Sequence, residues 1–269
     1  MTTLSIPSIG AAVVTLGVFD GVHRGHRHLL ASTAEAARDR NAAAVALVFD
    51  PHPDEIIRVG TTVPRLLPPE LTLERLQGSG IDHAVVIAFD DALRALAPEE
   101  FLAALRPGIQ LRGVVMTPDS AFGRGRSGTP VRVAEIGTEQ GFEAVTVQPL
   151  MVDGAPVSSS RIRSVLSEGD TTAAATLLGA PPLLQGTVVH GDRRGRDLGF
   201  PTANLSFAYT AALPALGIYL GRVSVPDRGV GPGHAALVSI GVRPTFHDDG
   251  RVLSRSTCST GMATCTTRP

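Results

Sequence analysis

Residues 11–16 form a short apolar run, and residues 17–26 continue as G-V-F-D-G-V-H-R-G-H. A strand that ends in a glycine-rich turn and then enters a helix leaves few fold options, because the first backbone N–H groups of a helix have no intrahelical partner and carry the positive end of its dipole. Such a junction is a phosphate site. Gly17, Gly21 and Gly25 allow a tight turn and a close approach of backbone to phosphate. His23 and His26, three residues apart, share one face of the first helical turn. One loop histidine is ordinarily a surface residue, but this spacing offers a phosphate two imidazole donors at once.

The pattern repeats downstream. Apolar runs of strand length at 43–49, 83–89, 113–116 and 144–147 alternate with helical patterns at 26–38, 69–77 and 98–105. This alternation predicts βαβ units and a doubly wound, Rossmann-like parallel sheet, with ligands bound beyond the carboxyl ends of its strands. At Pro181 and Pro182 the character changes. Short β-like runs at 186–189, 217–225 and 235–240, separated by Gly- and Pro-rich turns, predict a small antiparallel barrel or sandwich. The division is placed between residues 183 and 184, and the length of 269 residues suits two domains.

All 24 basic residues are arginine. A phosphate clamp is therefore built from Arg, His, backbone N–H or metal, and a P-loop lysine is excluded. A net charge of -1 and 4% aromatic residues argue against a nucleic-acid partner. No apolar stretch reaches the roughly 18 residues that span a bilayer, and the N-terminus lacks a basic stretch followed by an apolar one. The expectation is a cytoplasmic protein with small-molecule substrates and no membrane partner; the oligomeric state is left open.

Four further motifs carry candidate chemistry: F-D-P-H-P at 49–53, P-D-S-A-F-G at 118–123, V-S-S-S-R-I-R at 157–163 and G-R-D-L-G-F-P-T-A-N-L at 195–205. A serine cluster caps a helix, and its N–H groups, hydroxyls and arginines suit triphosphate oxygens. P-T-A-N by itself reads as a turn. F-D-G-V-H-x-G-H resembles the signature of nucleotidyltransferases that release pyrophosphate. With the later motifs, and with S-I-G-V-R-P-T-F at 239–246, the chain is identified as a member of the bacterial bifunctional riboflavin kinase/FAD synthetase family. A transferase acting on pantetheine phosphate matches H-x-G-H but not residues 195–246.

The resemblance implies an FMN adenylyltransferase (FAD synthetase) domain at 1–183, moving AMP from ATP to FMN with release of pyrophosphate. His23, His26, Ser159 and Arg163 are its implied catalytic residues. Gly17, Phe19, Asp20, Gly21, Gly25, Ser158, Ser160 and Arg161 fall to the ATP phosphates, and Asp50, His52, Asp119, Phe122 and Gly123 to the FMN and adenine pocket. Thr117 and Ser120 stand where the family has Gly and Phe. Residues 184–250 are implied to phosphorylate riboflavin to FMN, with ATP held by Gly195, Arg196, Gly199, Phe200, Pro201, Thr202 and Asn204. Thr202 and Asn204 are the implied Mg²⁺ ligands, since Mg²⁺ takes oxygen donors.

After Phe246 the resemblance leads one to expect a strand containing V-E-x-H, whose glutamate is the implied base for the riboflavin hydroxyl, and then D-x-x-G-D-L-Y. Residues 251–269 instead read R-V-L-S-R-S-T-C-S-T-G-M-A-T-C-T-T-R-P, with no period and no core pattern. Cys258 and Cys265 fit neither a redox pair nor a zinc site. One permitted codon series for 252–268, read two bases further on, gives A-V-E-V-H-V-L-D-W-D-G-D-L-Y-D-Q. The hypothesis is a frameshift near 250–252 that truncates the kinase domain and impairs it; source DNA unable to encode V-E-V-H in the shifted frame rejects it. A monofunctional adenylyltransferase with a dead kinase domain and an inactive pseudogene product are the alternatives.

Overall fold

The computed structural model describes residues 4–189, 202–226, 229–242 and 252–258. In chain order its elements are β1 Gly10–Gly17, α1 Arg24–Asp39, β2 Ala43–Asp50, α2 Pro53–Ile57, α3 Pro69–Gln77, β3 His83–Ala88, α4 Asp91–Arg94, α5 Pro98–Leu105, β4 Ile109–Met116, α6 Pro130–Gln140 and β5 Glu143–Thr146. They continue with β6 Met151–Val152, β7 Ala155–Pro156, α7 Ser159–Ser167, α8 Thr171–Leu178, β8 Thr187–Val189, β9 Thr202–Ser206, β10 Gly217–Val225, β11 Val230–Val242 and β12 Val252–Cys258. The described residues divide into two units, one of 4–63, 67–162 and 176–180, the other of 64–66, 163–175 and the residues from 181 onward.

In the first unit five strands run parallel in the order β3-β2-β1-β4-β5. Ala12, Val13 and Val14 are fully buried, so β1 is covered on both faces, as a central parallel strand must be. One face packs Ala12, Val14, Leu47 and Ile87 against Phe101, Leu102, Val133 and Ile136. The other packs Val13, Ala46 and Val115 against Leu30, Ala34, Ala37 and Leu76. Each large aliphatic side chain so buried contributes roughly 1.5–3 kcal/mol. The chain moves from β1 outward to β2 and β3, then crosses back to β4 on the opposite side of β1. That reversal opens a crevice at the carboxyl end of β1, where residues 17–26 lie.

The second unit holds an antiparallel sheet in the order β10-β11-β12-β9-β8. The P-T-A-N segment supplies β9 from Thr202 onward. One sequence expectation is corrected here. Residues 252–258, which carry no core pattern, form β12 and pair with β11 on one side and β9 on the other. Ladder bonds use backbone groups that every non-proline residue carries, so a segment without side-chain periodicity still completes a sheet. Among the described residues the sheet is open, with β10 and β8 at its ends.

Candidate nucleotide site

The F-D-G-V turn is strained and packed. Phe19, Gly21 and Val22 adopt left-handed φ values of 54°, 82° and 41°, a conformation that L side chains hold only when the surroundings enforce it. Enforcement comes from burial: Phe19, Asp20 and Val22 are all sequestered. The Asp20 carboxylate accepts from the Leu67 N–H at 3.3 Å, and the Asp20 carbonyl accepts from the Ser159 hydroxyl at 3.1 Å. Phe19 and Asp20 thus build the turn from within.

His23 caps α1. Its Nδ1 accepts from the His26 N–H at 3.2 Å, which leaves Nε2 as the protonated nitrogen of the neutral ring. The two imidazoles stack with centroids 3.6 Å apart, and His26 meets the edge of Phe19 at 5.3 Å. The sequence spacing thus brings both rings into one layer. Gly25 has its own reason: a Cβ there would lie 2.7 Å from the Val157 carbonyl oxygen. Only glycine lets α1 approach the start of α7 so closely.

At α7 the Ser158 hydroxyl accepts from the Arg161 N–H at 3.2 Å, and Ser160 is exposed. Ser159 therefore docks on the turn that carries His23 and His26, while Ser158 caps α7. Arg161 does otherwise: its Nη1 donates to the carbonyls of Val152 and Ala155, 2.8 and 3.0 Å away, and fastens the β6–β7 hairpin. Arg163 belongs to the second unit, where its Nε donates to the Pro64 carbonyl at 2.6 Å.

Around the other loops, His52 caps α2 through Nδ1, accepting from the Asp54 N–H, and Asp50 ends β2 at a cis peptide to Pro51. Phe122 is buried and meets Phe101 at 5.2 Å, so its ring belongs to the core. Gly123 has a φ of 72° and lies against Leu96 and Pro98. Thr117 and Ser120 hydrogen-bond to each other, and the Thr117 hydroxyl donates to Asp119 at 2.7 Å, which locks that turn. Thr202 and Asn204 lie two apart on β9, hence on one face of the strand. Gly195, Arg196, Gly199, Phe200 and Pro201 lie outside the described residues.

Sequence reasoning passed over three arginines near α1. Arg24 and Arg27 donate to the carbonyls of Thr176 and Leu178, at 3.2 and 2.6 Å, where cations complement the end of α8. Burial, and next the Arg27 guanidinium, hold Arg75 on α3 below its ordinary arginine pKa. The only available signal was position: Arg24 lies within the motif and Arg27 directly after it. A shallow groove of about 590 Å³ lined by Arg40, Arg112, Phe142 and Glu143 lies where β5 begins, at the opposite ends of the strands from the crevice.

The FAD synthetase family model matches residues 6–161 and the riboflavin kinase model residues 178–257. The bifunctional riboflavin kinase/FMN adenylyltransferase of Escherichia coli K12 is 35% identical over 234 residues, covering 87% of this chain and 74% of that protein. The enzyme of the same name from Pseudomonas fluorescens is 35% identical over 250 residues, 91% of this chain and 77% of that one. A crystal structure named for a macrolide-efflux protein of Streptococcus pneumoniae superposes with a TM-score of 0.85 at 28% identity, over 98% of this chain and 84% of that one. Among the described residues no helix is long and apolar enough to cross a membrane.

Proposed function

The chain belongs to the bifunctional riboflavin kinase/FMN adenylyltransferase family, and from that membership we propose that its two activities divide near residue 183. FMN adenylylation falls to the first part and riboflavin phosphorylation to the second. ATP, FMN and riboflavin are the substrates. The observation that carries the first assignment is the stacked His23–His26 pair at the start of α1, with Ser159 docked on the Asp20 carbonyl beside it.

In this reading an FMN phosphate oxygen attacks the α-phosphorus of ATP, and pyrophosphate leaves. No protein nucleophile is needed. His23, through Nε2–H, and His26 donate to phosphate oxygens as charge builds on the transferring group, while the helix N-terminus and Ser159 add fixed donors. Gly17, Gly21 and Gly25 keep the backbone close enough to serve; Asp50, His52 and Asp119 lie on the loops assigned to flavin and adenine.

For the second activity, Thr202 and Asn204 supply the hard oxygen donors that Mg²⁺ requires. Mg²⁺ bound there would neutralise ATP phosphate charge. The step also needs a base for the riboflavin hydroxyl, and residues 250–269 contain no carboxylate. General-base help is worth about 10²–10⁴-fold, so we assign this chain a weakened kinase, with the shifted reading frame as the reason. A cytoplasmic setting suits both reactions, since each consumes ATP.

The test is an incubation of the full chain with riboflavin and Mg-ATP, separating FMN from FAD, repeated with FMN as substrate. FAD forms from FMN. Failure of FMN to yield FAD rejects the first assignment, and rapid FMN formation from riboflavin rejects the weakened kinase.

A further inference from the structure

Thr15 is fully buried on β1, and its hydroxyl has no hydrogen-bond partner among the described residues. Its cross-strand neighbours are Ala46 on β2 and Val115 on β4, both part of the apolar layer beneath α1. Valine has nearly the same shape as threonine and would fill this place without an orphaned polar group. The hydroxyl therefore does nothing for folding. Buried orphan hydroxyls are rare enough to call for a functional reason.

Its position supplies one. Side chains alternate along a strand, so Thr15 and Gly17 face the same side of β1. Gly17 has no side chain, and the Phe19 ring covers it, 3.4 Å from where a Cβ would stand. Phe19 touches His26, and His26 stacks on His23. Phe19 thus connects the face of β1 that carries Thr15 to the two stacked imidazoles. Stacked rings and an apolar wall fix a plane but only weakly fix rotation within it, whereas a hydrogen bond is directional.

We propose that Thr15 is a positioning residue for adenylyl transfer, its hydroxyl holding the His23–His26 pair in its reactive orientation once the phosphates are bound. This rests on the assignment of FMN adenylylation to that pair. The hydroxyl's missing partner is then supplied in the reacting complex.

The experiment compares the full chain with Thr15→Val and Thr15→Ser, and with His26→Gln as a control. It measures FAD formation from FMN and Mg-ATP across pH, together with thermal unfolding. Thr15→Val melts no lower than the parent, keeps KM for ATP within about twofold, loses about tenfold in kcat and shifts the pH profile. Thr15→Ser restores most of kcat. The proposal is overturned if Thr15→Val keeps full kcat with an unchanged pH profile, if it melts lower, or if serine fails to rescue it. Unchanged activity in His26→Gln instead overturns the assignment to the histidine pair, and so separates the two failures.

Discussion

The parallel-sheet unit and the antiparallel unit use sequence in opposite ways. In the first, side chains dictate geometry: Phe19, Asp20 and Val22 are buried to hold a left-handed turn, and Gly25 is required because a Val157 carbonyl occupies the space of its Cβ. In the second, the backbone dictates it. Residues 252–258 take a place between β11 and β9 although their side chains show no strand pattern. Ladder hydrogen bonds are indifferent to side chains, whereas the chemistry of a site is not.

The sharpest way to break this contrast is to remove chemistry from the first unit only. His23→Ala or His26→Ala is expected to lower kcat for FAD formation by about 10²–10³-fold, as removal of a preorganised donor does, while riboflavin turnover stays unchanged. Parallel assays check it; equal losses in both reactions would contradict independence of the two chemistries. The converse change adds chemistry to the second unit. Arg255 stands in cross-strand register with Asn204, so Arg255→Glu introduces a glutamate at the position paired with the residue assigned to ATP. Riboflavin phosphorylation should rise about tenfold or more, with FAD formation unaffected; no gain would show that a base is not what the second unit lacks.

Gly25→Ala probes the packing of the turn. The added methyl meets the Val157 oxygen, and overpacking costs about 1–3 kcal/mol, which differential scanning calorimetry reads as a lower Tm of the first unit. An unchanged Tm would mean that the α1–α7 approach is slack. The smallest effect belongs to Glu99. A backbone hydrogen bond in the first turn of α5, and next Arg132, hold its carboxyl below the ordinary glutamate pKa. A depressed folded-state pKa stabilises above the unfolded pKa, and that contribution is lost as pH falls through the folded value. Glu99→Gln should therefore melt slightly lower at neutral pH and match the parent in acid. Because the pair is exposed, the gap is small.

Much of the first unit was legible in the sequence. The helical patterns at 69–77 and 98–105 match α3 and α5, and H-x-G-H lies where β1 meets α1. Periodicity and glycine spacing report local geometry, so these features could be read directly. What could not be read depends on contacts that residue type does not announce. Arg161 looks like a phosphate ligand beside its serines, yet it fastens a hairpin whose carbonyls precede it. Phe122 sits in a loop motif, yet packs on Phe101 in the core. The pairing of β12 was hidden for the same reason, since backbone complementarity leaves no trace in residue type.

The most direct measurement is FAD and pyrophosphate formation from FMN and Mg-ATP by the full chain and by its His23→Ala/His26→Ala double variant, with thermal unfolding confirming that both are folded. The account predicts equal amounts of the two products from the parent and a loss of at least about 10²-fold in the variant. A folded double variant that makes FAD at the parental rate would contradict it.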